Sequence, residues 1–246
     1  MLRIFLTSDL GCSTKVGGVR ISQEINNING LVDQIKKELI KTDKMVFIVS
    51  SPTNYDLNDN YANQTFESFR KSGIVFENEV VIDDRFEGNL EEIKDADLVF
   101  LAGGNTAKQM DYFKRIGLRE ILEDFKGVII GQSAGALNLA DEVLCSPEYK
   151  EEIGNTYKWN GLGLTQINIE PHFVLNVTAD VDIKLRKELL KISCYKHLYA
   201  ICDGTHILID EKSATIYGEA YLVEDGLITM IKESEKILQQ FNITAD

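Results

Sequence analysis

The sequence predicts an α/β fold: a mostly parallel central sheet with helices on both faces, plus a small antiparallel C-terminal extension. Three observations carry this prediction. Short, continuously apolar runs such as Met45-Val46-Phe47-Ile48-Val49, Leu98-Val99-Phe100-Leu101-Ala102 and Val128-Ile129-Ile130 alternate with helix-period segments, the pattern of strands covered on both faces. No linker, low-complexity tract or repeat divides the 246 residues, and only three are proline, so residues 1–246 read as one domain. After residue 200 the pattern changes to short strands separated by turn residues.

Taken in order, Ile4-Phe5-Leu6 reads as the first strand. Ile25, Ile28, Leu31, Ile35 and Leu39, spaced by three and four, predict an amphipathic helix. After the strand at Met45, a polar stretch over residues 53–64 precedes a helix through Phe66 and Phe69, and Val80-Val81-Ile82 reads as extended. The run at Leu98 leads into a helix over Thr106–Arg115, and the run at Val128 into a helix opening at Ala134. Near the C-terminus, Ile207-Leu208-Ile209, Thr215-Ile216-Tyr217, Tyr221-Leu222-Val223 and Leu227-Ile228-Thr229-Met230 read as strands, with Asp225-Gly226 marking a tight hairpin. Residues 235–240 are expected to form a terminal helical turn or two.

Hydrophobic residues at 44% and charged residues at 26% fit an ordinary globular protein. With 39 acidic against 26 basic residues, the formal charge of −13 repels a phosphate backbone, and no basic run offsets it. Nucleic acid is therefore not expected as a partner. The apolar stretch at Ile4 is too short and too quickly interrupted for a signal sequence or a membrane span, so the expectation is a cytoplasmic protein without a membrane partner. Cys12, Cys145, Cys194 and Cys202 have neither zinc-site spacing nor the density of a disulfide framework, and are expected to be free, mostly buried thiols.

The segment richest in chemistry is Gly131-Gln132-Ser133-Ala134-Gly135, a Gly-x-Ser-x-Gly turn between a buried strand and helix formers. That is the context of a nucleophile elbow, where a strained strand-to-helix turn exposes the serine at the carboxyl edge of a sheet. Gly103-Gly104-Asn105-Thr106 also follows a buried strand and opens a helix. A glycine N–H there and the Ala134 N–H could form an oxyanion hole. Asn105 or Thr106 equally suits a helix N-cap.

A serine hydroxyl needs a base, and the chain has three histidines, His172, His197 and His206. His172, after Glu170-Pro171 at the carboxyl end of a strand, suits that role. His197 reads as a surface residue, and a strand from Ile207 would carry His206 away from the sheet edge. The base in turn needs an acceptor on its other ring nitrogen. Asp203, after a short apolar strand, is one candidate; Glu170, placed by period two on the same strand face as His172, is the other.

On Gly103-Gly104-Asn105-Thr106, Gly131-Gln132-Ser133-Ala134-Gly135-Ala136, Pro171-His172-Phe173 and Asp203-Gly204, residues 45–210 resemble the peptidase E or S51 serine peptidases, which include aspartyl dipeptidases and cyanophycinases. The order nucleophile, histidine, acid separates this family from α/β-hydrolases. The resemblance implies a class I glutamine amidotransferase-like sheet and a triad, with Ser133 as nucleophile, His172 as base, and Gly104 and Ala134 as oxyanion donors. Gly103, Asn105 and Glu170 are candidate substrate contacts. Family members usually carry Glu where this chain has Asp203. Asp-specific members also carry basic residues soon after the histidine, where this chain reads Asn176-Val177-Thr178-Ala179-Asp180-Val181-Asp182. The expected substrate is accordingly a small peptide with a free amino end, its ammonium paired by Asp180, Asp182 or Glu170. Acyl transfer to serine and then to water requires no metal or organic cofactor. The alternatives are an inactive amidotransferase-like binding or regulatory module, or a glutaminase domain, which would carry cysteine at the elbow.

Overall fold

A computed structural model of the protein describes residues 1–147, 154, 157–211, 213–231 and 236–237. The first strand, β1 (Arg3–Thr7), buries four of its residues. A hairpin follows, β2 (Ser13–Val16) and β3 (Val19–Ser22). Helix α1 (Leu31–Glu38) is shorter than the apolar spacing predicts: Ile25 is buried ahead of it and Ile28 is exposed.

After β4 (Lys44–Ile48), helix α2 (Tyr55–Lys71) takes up most of the polar stretch at residues 53–64. Its inner face includes Asn58, Thr65 and Ser68 beside Phe66 and Phe69, which hides the helical period from a count of apolar residues alone. The Ser68 hydroxyl donates to the Cys12 carbonyl at 2.7 Å, so the buried polar group is satisfied. Next come β5 (Asn78–Ile82), a 3₁₀ turn over Leu90–Asp95, β6 (Leu98–Leu101), α3 (Thr106–Arg115), α4 (Leu118–Glu123), β7 (Val128–Gln132) and the single-turn α5 (Ala134–Leu137).

Strands β8 (Glu142–Cys145) and β9 (Tyr157–Asn160) pair with each other. They are followed by β10 (Ile169–Glu170), α6 (Asp180–Ser193) and β11 (Leu198–Ile201). The last strands are β12 (His206–Ile209), β13 (Ala214–Tyr217), β14 (Ala220–Glu224), β15 (Leu227–Ile231) and β16 (Lys236–Ile237). Residues 236–237 are thus strand where sequence reading expects helix. The rest of that segment lies outside the described residues.

The central sheet has the order β16-β13-β12-β1-β7-β6-β4-β5. From β1 to β5 all neighbours are parallel, and β12, β13 and β16 continue the β1 edge antiparallel. Ile4 to Leu6, Met45 to Ile48 and Leu98 to Leu101 are each no more than 1% exposed, as a sheet covered on both faces demands. The C-terminal strands do more than extend this edge. β14 and β15, joined at Asp225-Gly226, combine with β10 and β11 into a second sheet of order β10-β11-β14-β15. Phe173, Leu189, Ile192, Leu198 and Tyr221 form its own small core.

Cys12 and Cys145 are buried, Cys202 is half-buried and Cys194 is exposed. No helix among the described residues is long and apolar enough to cross a membrane.

His206 is buried on β12, stacked on Tyr217 at 5.0 Å between ring centroids. Its Nε2 lies 3.1 Å from Gln34 Oε1, while its Nδ1 has no hydrogen-bond partner among the described residues. Burial lowers its pKa from 6.5 to about 4. Between these values the unfolded chain binds the extra proton, so stability is complete above pH 6.5 and falls as the pH drops toward 4. Urea denaturation should show about 2 kcal/mol less stability at pH 5 than at pH 7 from this group, and His206→Gln should remove that part of the pH dependence. An equal dependence in the variant would contradict the assignment.

Candidate active site

The carboxyl ends of three adjacent parallel strands bring the first half of the site together. Thr7 pairs with Gln132, and Gly131 with Leu101, so the turns after β1, β7 and β6 leave the central sheet side by side. These turns carry Ser8-Asp9, Ser133-Ala134 and Gly103-Gly104. The second sheet repeats the arrangement with parallel β10 and β11, in which Glu170 pairs with Ala200. His172 and Asp203 each stand two residues beyond these strands.

Ser133 has φ 50° and ψ −110°, a sparsely populated conformation for a non-glycine residue. Its N–H donates to the Thr7 carbonyl at 2.9 Å, and its carbonyl accepts from Ala136 and Leu137. The flanking glycines permit this turn. A Cβ at Gly131 would stand 2.7 Å from the Ala136 backbone, and one at Gly135 2.2 Å from the Leu101 carbonyl oxygen. His172 is also at positive φ, 57°. Two of the three non-glycine residues at positive φ among the described residues therefore lie in this site.

Ser133 Oγ lies 3.1 Å from His172 Nε2, and His172 Nδ1 lies 2.8 Å from Asp203 Oδ1. Ser8 completes the cluster. Its hydroxyl accepts from the His172 backbone N–H at 2.7 Å and donates to Asp203 Oδ1 at 2.6 Å. The hydrogen bond to His172, followed by that from Ser8, holds the Asp203 carboxyl below its ordinary pKa despite partial desolvation. Sequence reading missed Ser8. Its signal was a polar residue directly after the buried run of β1, at the same sheet edge as Ser133.

Of the other expected residues, Glu170 accepts from the Ser146 hydroxyl at 2.6 Å. Asn105 caps α3, its side-chain oxygen accepting from the Lys108 N–H at 2.9 Å. The Gly103 N–H donates to the Tyr61 hydroxyl at 3.3 Å. The N–H groups of Gly104 and Ala134 donate to no protein acceptor among the described residues, and a Cβ added at Gly103 would stand 3.6 Å from Ser133 Cβ. Gly104 has φ 145°, and a Cβ there would meet Ser50 Oγ at 2.1 Å. Only glycine fits this bend.

Cavities flank the cluster on two sides. One of about 430 Å³ is lined by Asp9, Arg20, Tyr61, Gly103, Gly104 and Gln132. The other, of about 550 Å³, includes Glu170, His172, Phe173, Asp182 and Arg186. Asp180 is not among its lining residues. The Arg186 guanidinium lies 4.0 Å from the Phe173 ring centroid and donates to the Val174 carbonyl. Burial lowers its pKa. The acidic segment ending at Asp182 is therefore followed, one helical turn on, by a cation in the same cavity. Among the described residues, no group of three His, Cys, Asp or Glu side chains is placed to hold a metal ion.

A sequence profile of peptidase family S51 matches residues 17–217. Two solved structures are similar. A peptidase from an acI-B1 Actinobacterium is 13% identical, with a TM-score of 0.63 over 96% of each chain. A protein named as a peptidase E from Listeria monocytogenes EGD-e is 19% identical, with a TM-score of 0.58 over 87% of this chain and 96% of that one. At these identities the likeness is one of fold. No curated protein matches the sequence.

Proposed function

The chain belongs to peptidase family S51, and on that premise we propose that it is a serine peptidase cleaving small peptides through an acyl-enzyme on Ser133. The observation that carries this reading is the unbroken run of contacts Ser133–His172–Asp203, at 3.1 and 2.8 Å, between side chains from separate turns. His172 Nε2 takes the serine proton as Oγ attacks the scissile carbonyl, and its Nδ1–H donates to Asp203, which stabilises the imidazolium. The Gly104 and Ala134 N–H groups, with no protein acceptor among the described residues, stabilise the oxyanion. Each such donor is worth about 3 kcal/mol at the transition state. The imidazolium then protonates the leaving amine, and the same nitrogen later activates water to release the acid and restore Ser133.

The free ammonium of a small peptide is matched by Asp182 and Glu170 in the cavity beside His172, and Arg186 there supplies a partner for a carboxylate. A dipeptide library varied at the first residue separates the two, since preference for an acidic first residue would assign the cavity to Arg186. The central test is covalent. A fluorophosphonate should label the wild type and His206→Ala but neither Ser133→Ala nor His172→Ala. Failure to label correctly folded wild type would reject the reading, and loss of labelling in His206→Ala alone would reassign the base.

A further inference from the structure

Tyr61 lies in the half of α2 that reads as merely polar in sequence, yet its hydroxyl stands at the centre of a four-residue relay. The Gly103 N–H donates to it at 3.3 Å; it donates to Gln132 Oε1 at 3.0 Å; and Gln132 Nε2 donates to Asp9 Oδ1 at 2.9 Å. The direction of every bond is determined. A carboxylate only accepts, so Gln132 must turn its NH₂ to Asp9 and its carbonyl to Tyr61. The single phenolic proton then goes to Gln132, leaving a lone pair for Gly103. Burial raises the pKa of this hydroxyl, which keeps the proton in place.

Two members of the relay lie beside the two N–H groups that have no protein acceptor among the described residues. Gly103 precedes Gly104, and Gln132 is two residues before Ala134. We propose that Tyr61 is a positioning residue that ties the Gly103-Gly104 turn to the strand end carrying Ser133, setting the spacing and aim of the two oxyanion donors. The inference rests on the serine-peptidase reading and deepens it. Donors stabilise developing charge only when held in place before the reaction, and the relay supplies that restraint across two different loops. The Tyr61 ring packs edge-on against Phe47 at 5.3 Å, so Tyr61→Phe keeps the ring packing and removes the hydroxyl alone.

The test compares wild type, Tyr61→Phe, Gln132→Leu and the double variant. Misaimed donors should lower kcat by about 10- to 100-fold with KM little changed. Affinity for a peptide aldehyde, which forms the oxyanion, should fall by the same factor as kcat/KM. The double variant should lose no more than either single one. Amide hydrogen exchange at Gly103 should accelerate in Tyr61→Phe, a readout independent of turnover. Unchanged kcat, a loss confined to KM, additive losses, or unchanged Gly103 exchange would each overturn the proposal. If the wild type neither turns over peptides nor takes the fluorophosphonate, the serine-peptidase reading fails by itself, while Gly103 exchange still reports on the tether.

Discussion

Ser133→Ala is expected to lower kcat/KM by about 10⁶ without altering the fold. No neighbouring hydroxyl can replace it. Ser8 is buried behind His172, its oxygen engaged by the His172 N–H and by Asp203. The Ala134 N–H and the Gly104 N–H stay in place, so a residual acceleration of about 10³ to 10⁴ over water should persist from oxyanion binding and orientation. Steady-state assay of the best dipeptide, with circular dichroism as the folding control, measures both. Turnover within tenfold of wild type would show that the nucleophile lies elsewhere.

Asp203→Asn is the second large effect, a fall in kcat of about 10⁴. The amide occupies the same volume but carries no charge to stabilise the imidazolium, and it can present a donor to Nδ1, which selects the wrong tautomer. Ser8 still donates to the remaining oxygen, so the loss is electronic rather than a collapse of the turn. Glu170→Gln should act on KM and leave kcat near wild type, because Glu170 faces the cavity and Ser146. The opposite pattern would make Glu170 the acid. The hydrogen bonds with His172 and Ser8 hold the Asp203 carboxyl below its ordinary pKa, which favours its ionised form. The acid limb of kcat/KM should therefore have unit slope, from one proton on His172, and a limb of slope two would contradict the assignment.

The sequence by itself determined the layered α/β architecture, the strand-to-helix turn at Ser133, the glycine turn at Gly103-Gly104 and the position of His172 just past a strand. Each depends on local information: a run of buried apolar residues, a turn only glycine permits, a histidine just past a strand. The meeting of Asp203 with the His172 ring was not local. Period two places Glu170 and His172 on one face, but β10 ends at Glu170 and His172 turns to φ 57°, so the alternation stops one residue too early to apply. The partners of Ser8, Tyr61 and Arg186 were likewise not fixed by local sequence. Ser8 meets its partners 164 and 195 residues away, and Tyr61 bonds Gln132 across 71. Backbone sterics and hydrophobic period act within a turn or two of chain, whereas the Tyr61 contact needs α2 packed on the central sheet and the Ser8 contacts need two separate sheets to end face to face, and both are set by how the whole core packs.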